Sequence, residues 1–250
     1  MLGVTDYILF GGFAVFAAID LLAPARPLTP APLWRVKGVL AAATYWAVAF
    51  YSPFLWSGLI GGSPLIDGSD WPLWVAAPVA LLAYQLGIYV WHRTLHASDF
   101  LWRHFHQTHH SAERIDIWGA LYFHPLDVMA FTLVGSFMLT AVLGVAPEAV
   151  LFAFGVSTVC ALFQHCNILT PRWLGYFVTR PESHSLHHER GAHRYNYGDI
   201  PVWDMVFGTF RNPEDFPAAN GFWDGASQRL GDLLIGRDVA GQPLGRPSRA

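Results

Sequence analysis

Histidines recur along the chain in groups whose spacing matches the turn of an α-helix. Residues three and four positions apart are neighbours on one helix face. The groups are His92 and His96, then His106, His109 and His110, and finally His184, His187 and His188. Neutral imidazole is the commonest side-chain ligand of metal ions and suits iron, zinc, copper and nickel. The pattern therefore predicts metal binding, although spacing alone leaves the identity of the metal open.

The number of histidines indicates more than one metal ion. All twelve histidines lie between His92 and His193, which confines them to the middle of the chain. His165 stands alone at the end of an apolar segment and brings the candidate ligands to nine. A zinc site takes only three or four protein ligands. Nine imidazoles are therefore too many for one ion and suit two.

The remaining three histidines fit this pattern less well. His104 is two residues from His106, about 200° around a helix, so we expect it to face away. His193 lies in a stretch rich in glycine and arginine, and we expect it to be solvated. His124 precedes Pro125, and we expect it either to hydrogen-bond behind the ligands or to have a structural role. No catalytic side chain is expected beyond the metal ligands.

The composition is that of an integral membrane protein. Apolar residues make up 53% of the 250 residues and charged residues only 13%, and the mean hydropathy is +0.32. An average soluble protein carries roughly 25% charged residues. The formal charge of −3 excludes a strongly basic nucleic-acid-binding protein, and two cysteines cannot build a disulfide scaffold.

Four long uncharged runs and one weaker run predict an all-α bundle with four or five membrane spans. A helix needs about 20 mostly apolar residues to cross the hydrocarbon core. The uncharged runs are 38–66, 72–91, 128–147 and 149–164, and the weaker run is 7–19, which could extend to residue 25. We expect one structural domain made of spans in 1–91, a histidine-rich segment in 92–127, a transmembrane hairpin in 128–166, a second histidine-rich segment in 167–211, and a polar C-terminal tail in 212–250.

The basic residues predict the orientation of these spans. Cytoplasmic loops are enriched in Lys and Arg. Arg26, Arg35 and Lys37 lie between the first and second runs, whereas the next connection contains Asp67 and Asp70 but no basic residue. Alternating crossings then place all fifteen Lys and Arg residues, and all twelve histidines, on the cytoplasmic side. The metal site is expected there.

The histidines belong to longer motifs that resemble those of the fatty acid hydroxylase and sterol desaturase superfamily. The motifs are HRTLH at 92–96, LWRHFHQTHHS at 101–111, HP at 124–125, HCN at 165–167, HSLHH at 184–188, NYG at 196–198, WD at 203–204 and FGT at 207–209. They run in order through about half of the chain, so their joint specificity is high.

The resemblance implies an integral-membrane, O₂-dependent, non-haem di-iron enzyme that hydroxylates or desaturates lipids. It implies two iron ions as the cofactor, with zinc possible in the isolated protein. The metal ligands carried over by motif are His92, His96, His106, His109, His110, His165, His184, His187 and His188. The expected partners are the bilayer, a membrane lipid as substrate and a separate electron-transfer protein that supplies reducing equivalents. No nucleic acid is expected.

Other residues in these motifs are candidates to support the ligands. A ligating histidine usually donates its second ring nitrogen to a carboxylate or a carbonyl group. The candidates are His124, Asp127, Asn167, Asn196 and Asp204. Two positions depart from the pattern of the superfamily, in which arginine is frequent at the position of Tyr122 and glutamate at that of Asp127. These departures leave the substrate open.

Two alternatives use the same histidines. A bis-histidine haem protein that carries electrons would hold its ligands within the spans, whereas these histidines fall at or beyond the span ends. A zinc-dependent membrane hydrolase needs a catalytic carboxylate, and Glu113 and Glu189 lie near the groups, but the chain has no His-Glu-x-x-His motif. A metal-binding or transport protein without catalysis is a third alternative.

Overall fold

The computed structural model describes residues 4–241, and the predicted all-α architecture is confirmed for them. The helices are α1 (Val4–Leu22), α2 (Trp34–Tyr51), α3 (Ser57–Ile60), α4 (Leu73–Ala97), α5 (Asp99–Leu101), α6 (Gln107–His110), α7 (Pro125–Ser136), α8 (Pro147–Gln164), α9 (Pro181–His187), α10 (Val202–Val206) and α11 (Leu230–Leu234). Further helical turns are the π-helical segments Trp102–His106 and Phe137–Val142 and the 3-10 segments Ser52–Leu55, Ile117–Gly119, Arg172–Tyr176 and Ala226–Gln228. No β-strand forms within residues 4–241.

Four helical segments are long and apolar enough to cross a membrane. They are Trp34–Leu55, Leu73–Ala97, Pro125–Val142 and Pro147–Gln164, and they correspond to the four long uncharged runs. Among the residues whose side chains are described, α1 contributes the shorter apolar segment Phe10–Leu22. The turn between the last two segments contains Gly144, whose positive φ of 51° suits a residue without a side chain. This turn joins the two segments of the predicted hairpin, and α4 packs against both of them.

The helix α4 lies at the centre of the bundle, against α7 and α8. Small side chains at these contacts allow the helix backbones to approach closely, as is common between membrane helices. Ala80 and Ala153 are fully buried there beside Tyr84 and Leu139. By contrast, large apolar side chains on the outside of α2 are exposed, for example Phe50 at 66%. An outer surface of this kind is suited to lipid.

The first turn of α2 is anchored to the histidine-rich region. The indole of Trp34 donates a hydrogen bond of 2.7 Å to Asp116. One turn later, Gly38 lies directly against the backbone of Trp118, and a Cβ atom at Gly38 would overlap the Trp118 carbonyl oxygen. The absence of a side chain at Gly38 therefore allows α2 to pack against the turn Ile117–Gly119.

Part of the predicted C-terminal tail covers the histidine-rich region. Leu233 is fully buried, and the backbone N–H and hydroxyl of Ser227 donate hydrogen bonds to Glu113. Gln107 donates a hydrogen bond of 2.7 Å to the carbonyl of Arg237. Residues 242–250 of the tail lie outside the described residues. The described part of the tail belongs to the packed structure around the histidines.

Replacing Gly38 with alanine should destabilise the protein. The added methyl group must push α2 away from the Trp118 carbonyl, and overpacking of this kind costs about 1–3 kcal/mol. Gly12 in α1 has no atom within 4 Å of a Cβ position. Gly12→Ala is the matched control, and we expect it to be neutral or slightly stabilising. Thermal unfolding in detergent measures both effects, and an unchanged midpoint for Gly38→Ala would contradict the close contact.

Candidate metal centre

The ends of four helical segments bring the nine predicted ligands to one end of the bundle. His92 and His96 lie on the last turns of α4, which continues past the uncharged run as the spacing required. The π-helical segment Trp102–His106 leads into α6, which carries His109 and His110. His165 directly follows α8, and α9 carries the last group as far as His188 at its end. His96 is half-buried, and the other eight histidines are buried.

The nine histidines form two groups. Within each group, every histidine offers one ring nitrogen, and these nitrogens all lie within 4.8 Å of one another. The first group, called the five-histidine group, consists of His92, His96, His106, His110 and His187. The second, called the four-histidine group, consists of His109, His165, His184 and His188. Both groups contain only imidazole donors.

Two histidine triplets, His106/His109/His110 and His184/His187/His188, recur in the sequence. Each triplet is divided between the five-histidine group and the four-histidine group. His106 and His110 belong to the five-histidine group, and His109 between them belongs to the four-histidine group. The second triplet is divided in the opposite way, because His187 alone joins the five-histidine group. Both α6 and α9 therefore contribute to both groups, and neither group can be displaced independently of the other.

Hydrogen bonds on the outer ring nitrogens leave lone pairs that face each other in the five-histidine group. His92 Nδ1 donates to the carbonyl of Tyr197 at 2.7 Å, and His106 Nδ1 donates to the carboxylate of Asp127 at 2.6 Å. A neutral imidazole has one proton, so both Nε2 atoms then carry a lone pair. These two Nε2 atoms are 2.9 Å apart. Two lone pairs at this distance repel each other unless a cation lies between them.

In the four-histidine group, the ring nitrogens also lie close together, and one outer nitrogen is held by a backbone carbonyl. The Nε2 atom of His184 is 3.0 Å from that of His165 and 3.1 Å from that of His188. His165 Nδ1 donates to the carbonyl of Ala161 at 2.7 Å, which leaves its Nε2 as an acceptor. With metal–nitrogen bonds of about 2.0–2.1 Å, two ligands at right angles are about 3 Å apart. The donor set of each group therefore fits one metal ion.

Burial keeps these imidazoles neutral. Desolvation lowers the pKa of His106 to about 3 and that of His165 to about 4. Desolvation, followed by the neighbouring imidazoles, lowers the pKa of His109 and His188 well below the usual value. Metal ions bind the neutral form of histidine, so at neutral pH the side chains are in their ligating state.

A loop that follows α9 provides two of the acceptors behind the ligands. The carbonyl of Tyr195 accepts a hydrogen bond of 2.6 Å from His187 Nδ1, and that of Tyr197 binds His92. Tyr195 and Asn196 have positive φ values of 71° and 47°, which L-residues rarely adopt. The strained backbone is held by neighbouring side chains and directs two carbonyl oxygens toward the histidines.

Two of the predicted supporting residues hold this loop. Asp204 accepts hydrogen bonds from the backbone N–H groups of Tyr197 and Gly198 and from the Thr209 hydroxyl, at 2.7–2.9 Å. Asn196 donates to the carbonyl of Ser183 in α9 at 2.9 Å. Asp204 and Asn196 therefore act on the ligands through the backbone, whereas Asp127 contacts His106 directly.

The hydrogen bonds of the other two supporting candidates connect chain segments around the site. His124 Nδ1 accepts from the backbone N–H of Leu126 at the start of α7, and its Nε2 bonds the carbonyl of Leu234. The side chain of Asn167 donates to the carbonyl of Arg26 at 2.7 Å. Of the two roles expected for His124, these contacts favour the structural role over a hydrogen bond to a ligand.

The expectation that His193 is solvated is wrong. His193 is half-buried, its Nδ1 lies 3.0 Å from that of His110, and burial lowers its pKa to about 4. The indication in the sequence that His193 could lie near the other histidines was its position five residues after His188. His104 lies outside both groups, and its Nδ1 bonds the carbonyl of Phe100. The side chains of Tyr195 and Tyr197 gave no indication that their backbone carbonyl groups accept hydrogen bonds from the histidines.

An apolar cavity of about 550 Å³ opens beside both groups. Its walls come from the middles of the spans and include Tyr45, Trp46, Phe50, Phe131, Leu139 and Phe154. One end is lined by His92, His106, His109, His165 and His184. Cavities of roughly this size and apolar character are typical of ligand sites. The arrangement can hold an elongated apolar molecule with one part against the histidines.

Comparison with known proteins agrees with this geometry. Residues 77–209 match the family model described as fatty acid hydroxylase. The chain is similar to sphinganine C4-monooxygenase 1 of Arabidopsis thaliana (30% identical over 140 residues), ornithine lipid hydroxylase OlsE of Rhizobium tropici (31% over 148) and delta(7)-sterol 5(6)-desaturase of Aspergillus fumigatus (26% over 208). These alignments cover 54%, 58% and 73% of this chain.

The same alignments cover 53%, 44% and 62% of the three relatives. The chain thus spans about half the length of the curated relatives it matches. No solved structure matches the chain significantly.

Replacing Asp127 with alanine should weaken metal binding. The substitution removes the acceptor that orients His106, and losses of this kind typically lower metal affinity by about 10–100-fold. Competition with a chelator in detergent measures the affinity. Asp67→Ala is the control, because Asp67 is exposed and its hydrogen bonds go to Ser69. Equal affinities of Asp127→Ala and the unchanged protein would contradict the role of Asp127.

Proposed function

The chain belongs to the fatty acid hydroxylase family, and we propose that it is a membrane enzyme that uses O₂ and two iron ions to oxidise C–H bonds of a lipid. The observation that carries the proposal is the position of two clusters of imidazole nitrogens beside an apolar cavity. The product is a hydroxylated or a desaturated lipid.

The nine histidines are the proposed iron ligands. The five-histidine group holds one ion and the four-histidine group holds the other. When bound, the iron supplies the oxidation of an unactivated C–H bond, which no amino-acid side chain can perform. No further catalytic side chain is proposed.

The protein contributes orientation and the exclusion of water. Asp127 and the carbonyls of Tyr195 and Tyr197 hold the Nδ1 protons of three ligands, so that each Nε2 faces inward. The aromatic walls of the cavity hold the lipid chain and keep water away from the reacting carbon.

The position of the cavity supports a substrate drawn from the bilayer. Its walls belong to the segments long and apolar enough to span a membrane, and its polar end lies at the histidines. A lipid can therefore reach the site while its chain stays among apolar side chains. The names of the three relatives refer to sphinganine, ornithine lipid and a sterol, which supports a lipid substrate without selecting one.

Charge distribution supports a metal centre on the cytoplasmic side. Arg26 donates hydrogen bonds to Ser185 and Asn220, next to the second histidine triplet. Lys37 bonds Gln228 in the segment that covers the histidines. Basic residues are enriched on the cytoplasmic side of membranes. We further propose that a separate electron-transfer protein supplies the reducing equivalents from that side.

The geometry disfavours the haem alternative and a zinc hydrolase that uses Glu113. A haem needs its macrocycle between two axial ligands, whereas nitrogens 2.9–3.3 Å apart leave no room for one. In a zinc hydrolase, Glu113 would need a free carboxylate near the metal. Both oxygens of Glu113 instead accept hydrogen bonds from Ser227.

Replacing one ligand from each group tests the proposal. In protein purified from cells supplied with iron and kept low in zinc, we expect about two irons per chain and no haem absorbance, the number that the two donor groups imply. His109→Ala and His187→Ala should each reduce the iron content and abolish lipid oxidation. Metal analysis and mass spectrometry of the host lipids measure the two effects.

His104→Ala is the matched control, because His104 lies outside both groups, and it should keep its iron and its activity. Full iron and full turnover in either ligand variant would overturn the assignment. If the purified protein contains zinc alone, anaerobic loading with iron must restore oxidation for the proposal to stand.

A further inference from the structure

A polar patch interrupts the apolar wall of the cavity. Gln85 donates hydrogen bonds of 2.7 Å to Ser157 and 2.9 Å to Asp199. Gln164 donates to the other carboxylate oxygen of Asp199 at 3.1 Å. Ser157, Gln164 and Asp199 all line the cavity. The patch is therefore built from α4, α8 and the loop after Gly198, and its side chains fix one another in place.

The patch has an unmet capacity to accept hydrogen bonds. Gln164 is 6% exposed, and its Oε1 atom has no donor among the described residues. Each carboxylate oxygen of Asp199 accepts a single side-chain hydrogen bond, from Gln85 or from Gln164, although an oxygen of this type can accept two. Buried acceptors without a donor are unfavourable and are usually satisfied by a ligand, water or protein group.

Three other hydroxyl groups along the wall have already committed their protons within their own helices. The hydroxyls of Thr132, Ser136 and Thr158 donate to carbonyls one turn earlier in their own helices, at 2.7–2.9 Å. A hydroxyl bonded in this way adds little polarity to its surroundings. By contrast, the Oε1 atom of Gln164 has no donor among the described residues, so a ligand can supply one.

The patch lies at the histidine end of the cavity. Gln164 is the last residue of α8 and directly precedes His165. Asp199 follows the loop whose Tyr197 carbonyl orients His92. A polar group held at this patch would thus lie beside both histidine groups, while the apolar remainder of the molecule extends between the spans.

We propose that Gln164 and Asp199 bind a hydrogen-bond donor of the lipid substrate, a hydroxyl or an amide N–H, and thereby select lipids that carry such a donor close to the oxidised carbon. The inference rests on the proposed function, and it names the substrate class. Plain hydrocarbon chains lack the donor. Free fatty acids, which bear a carboxylate, are disfavoured because Asp199 would place like charge against them.

Binding of three matched probes tests the inference on the full-length protein in detergent. The probes are 9,10-dibromooctadecan-1-ol, its methyl ether and 9,10-dibromooctadecane, and bromine quenches the fluorescence of Trp46 on the cavity wall. The alcohol should bind roughly three- to tenfold more tightly than the hydrocarbon, the range expected for one hydrogen bond. The ether can accept but not donate, so it should bind like the hydrocarbon. The part of the quenching that is lost in the Trp46→Phe variant comes from probe bound in the cavity.

Gln164→Met combined with Asp199→Leu keeps side chains of similar length and removes both proposed acceptors, so the double variant should abolish the preference for the alcohol. Thr158→Val is the control and should retain the preference, because the Thr158 hydroxyl already bonds its own helix. An ether that binds as tightly as the alcohol would overturn the inference without any variant. A preference that persists in the double variant would overturn it as well.

Iron content and lipid oxidation, measured on the same preparations, separate the two proposals. A preference that depends on Gln164 and Asp199, in protein that gives no product even after anaerobic loading with iron, would support the donor site and overturn the proposed function. Iron and product without any preference for the alcohol would overturn the donor site alone.

Discussion

The repulsion between neighbouring imidazole lone pairs is the constraint on which the rest of the structure depends. His92 and His106 have both committed their Nδ1 protons to oxygen acceptors, and their Nε2 atoms are 2.9 Å apart. Only surroundings that fix both rings can maintain such a contact. Asp127 does so with a side chain, and the loop through Tyr197 does so with its backbone. The positive φ values at Tyr195 and Asn196 are part of the same requirement.

The division of each triplet between two groups explains why the short helices matter as much as the spans. A single turn of α6 places His109 toward one group and His110 toward the other. The same holds for His187 and His188 at the end of α9. Movement of either helix would therefore disturb both groups at once. The described part of the C-terminal tail limits such movement, because Gln107 in α6 bonds the carbonyl of Arg237.

Local constraints made much of the fold and most of the candidate metal ligands predictable. Membrane thickness sets the length of an apolar run, and the helical repeat makes His92 and His96 neighbours. The sequence could not show which group each histidine joins, because that depends on how α6 and α9 are oriented against α4. It also could not identify Tyr195 and Tyr197, since their carbonyl groups are common to all residues. His193 was misjudged because its surroundings in sequence are polar while its surroundings in space are not.

The proposed metal ligands and most of the side chains proposed to contact the lipid come from different parts of the helices. The histidines lie on helix ends and short turns, where backbone and carboxylate acceptors can support them. The cavity is lined by the middles of the spans, where side chains can change without altering any hydrogen bond to a ligand. Gln164 and His165 are the point at which the two parts meet, because they are consecutive residues at the end of α8. In the proposed enzyme, substrate choice can therefore vary along the cavity wall, while the donor site where α8 ends would determine which carbon reaches the histidines.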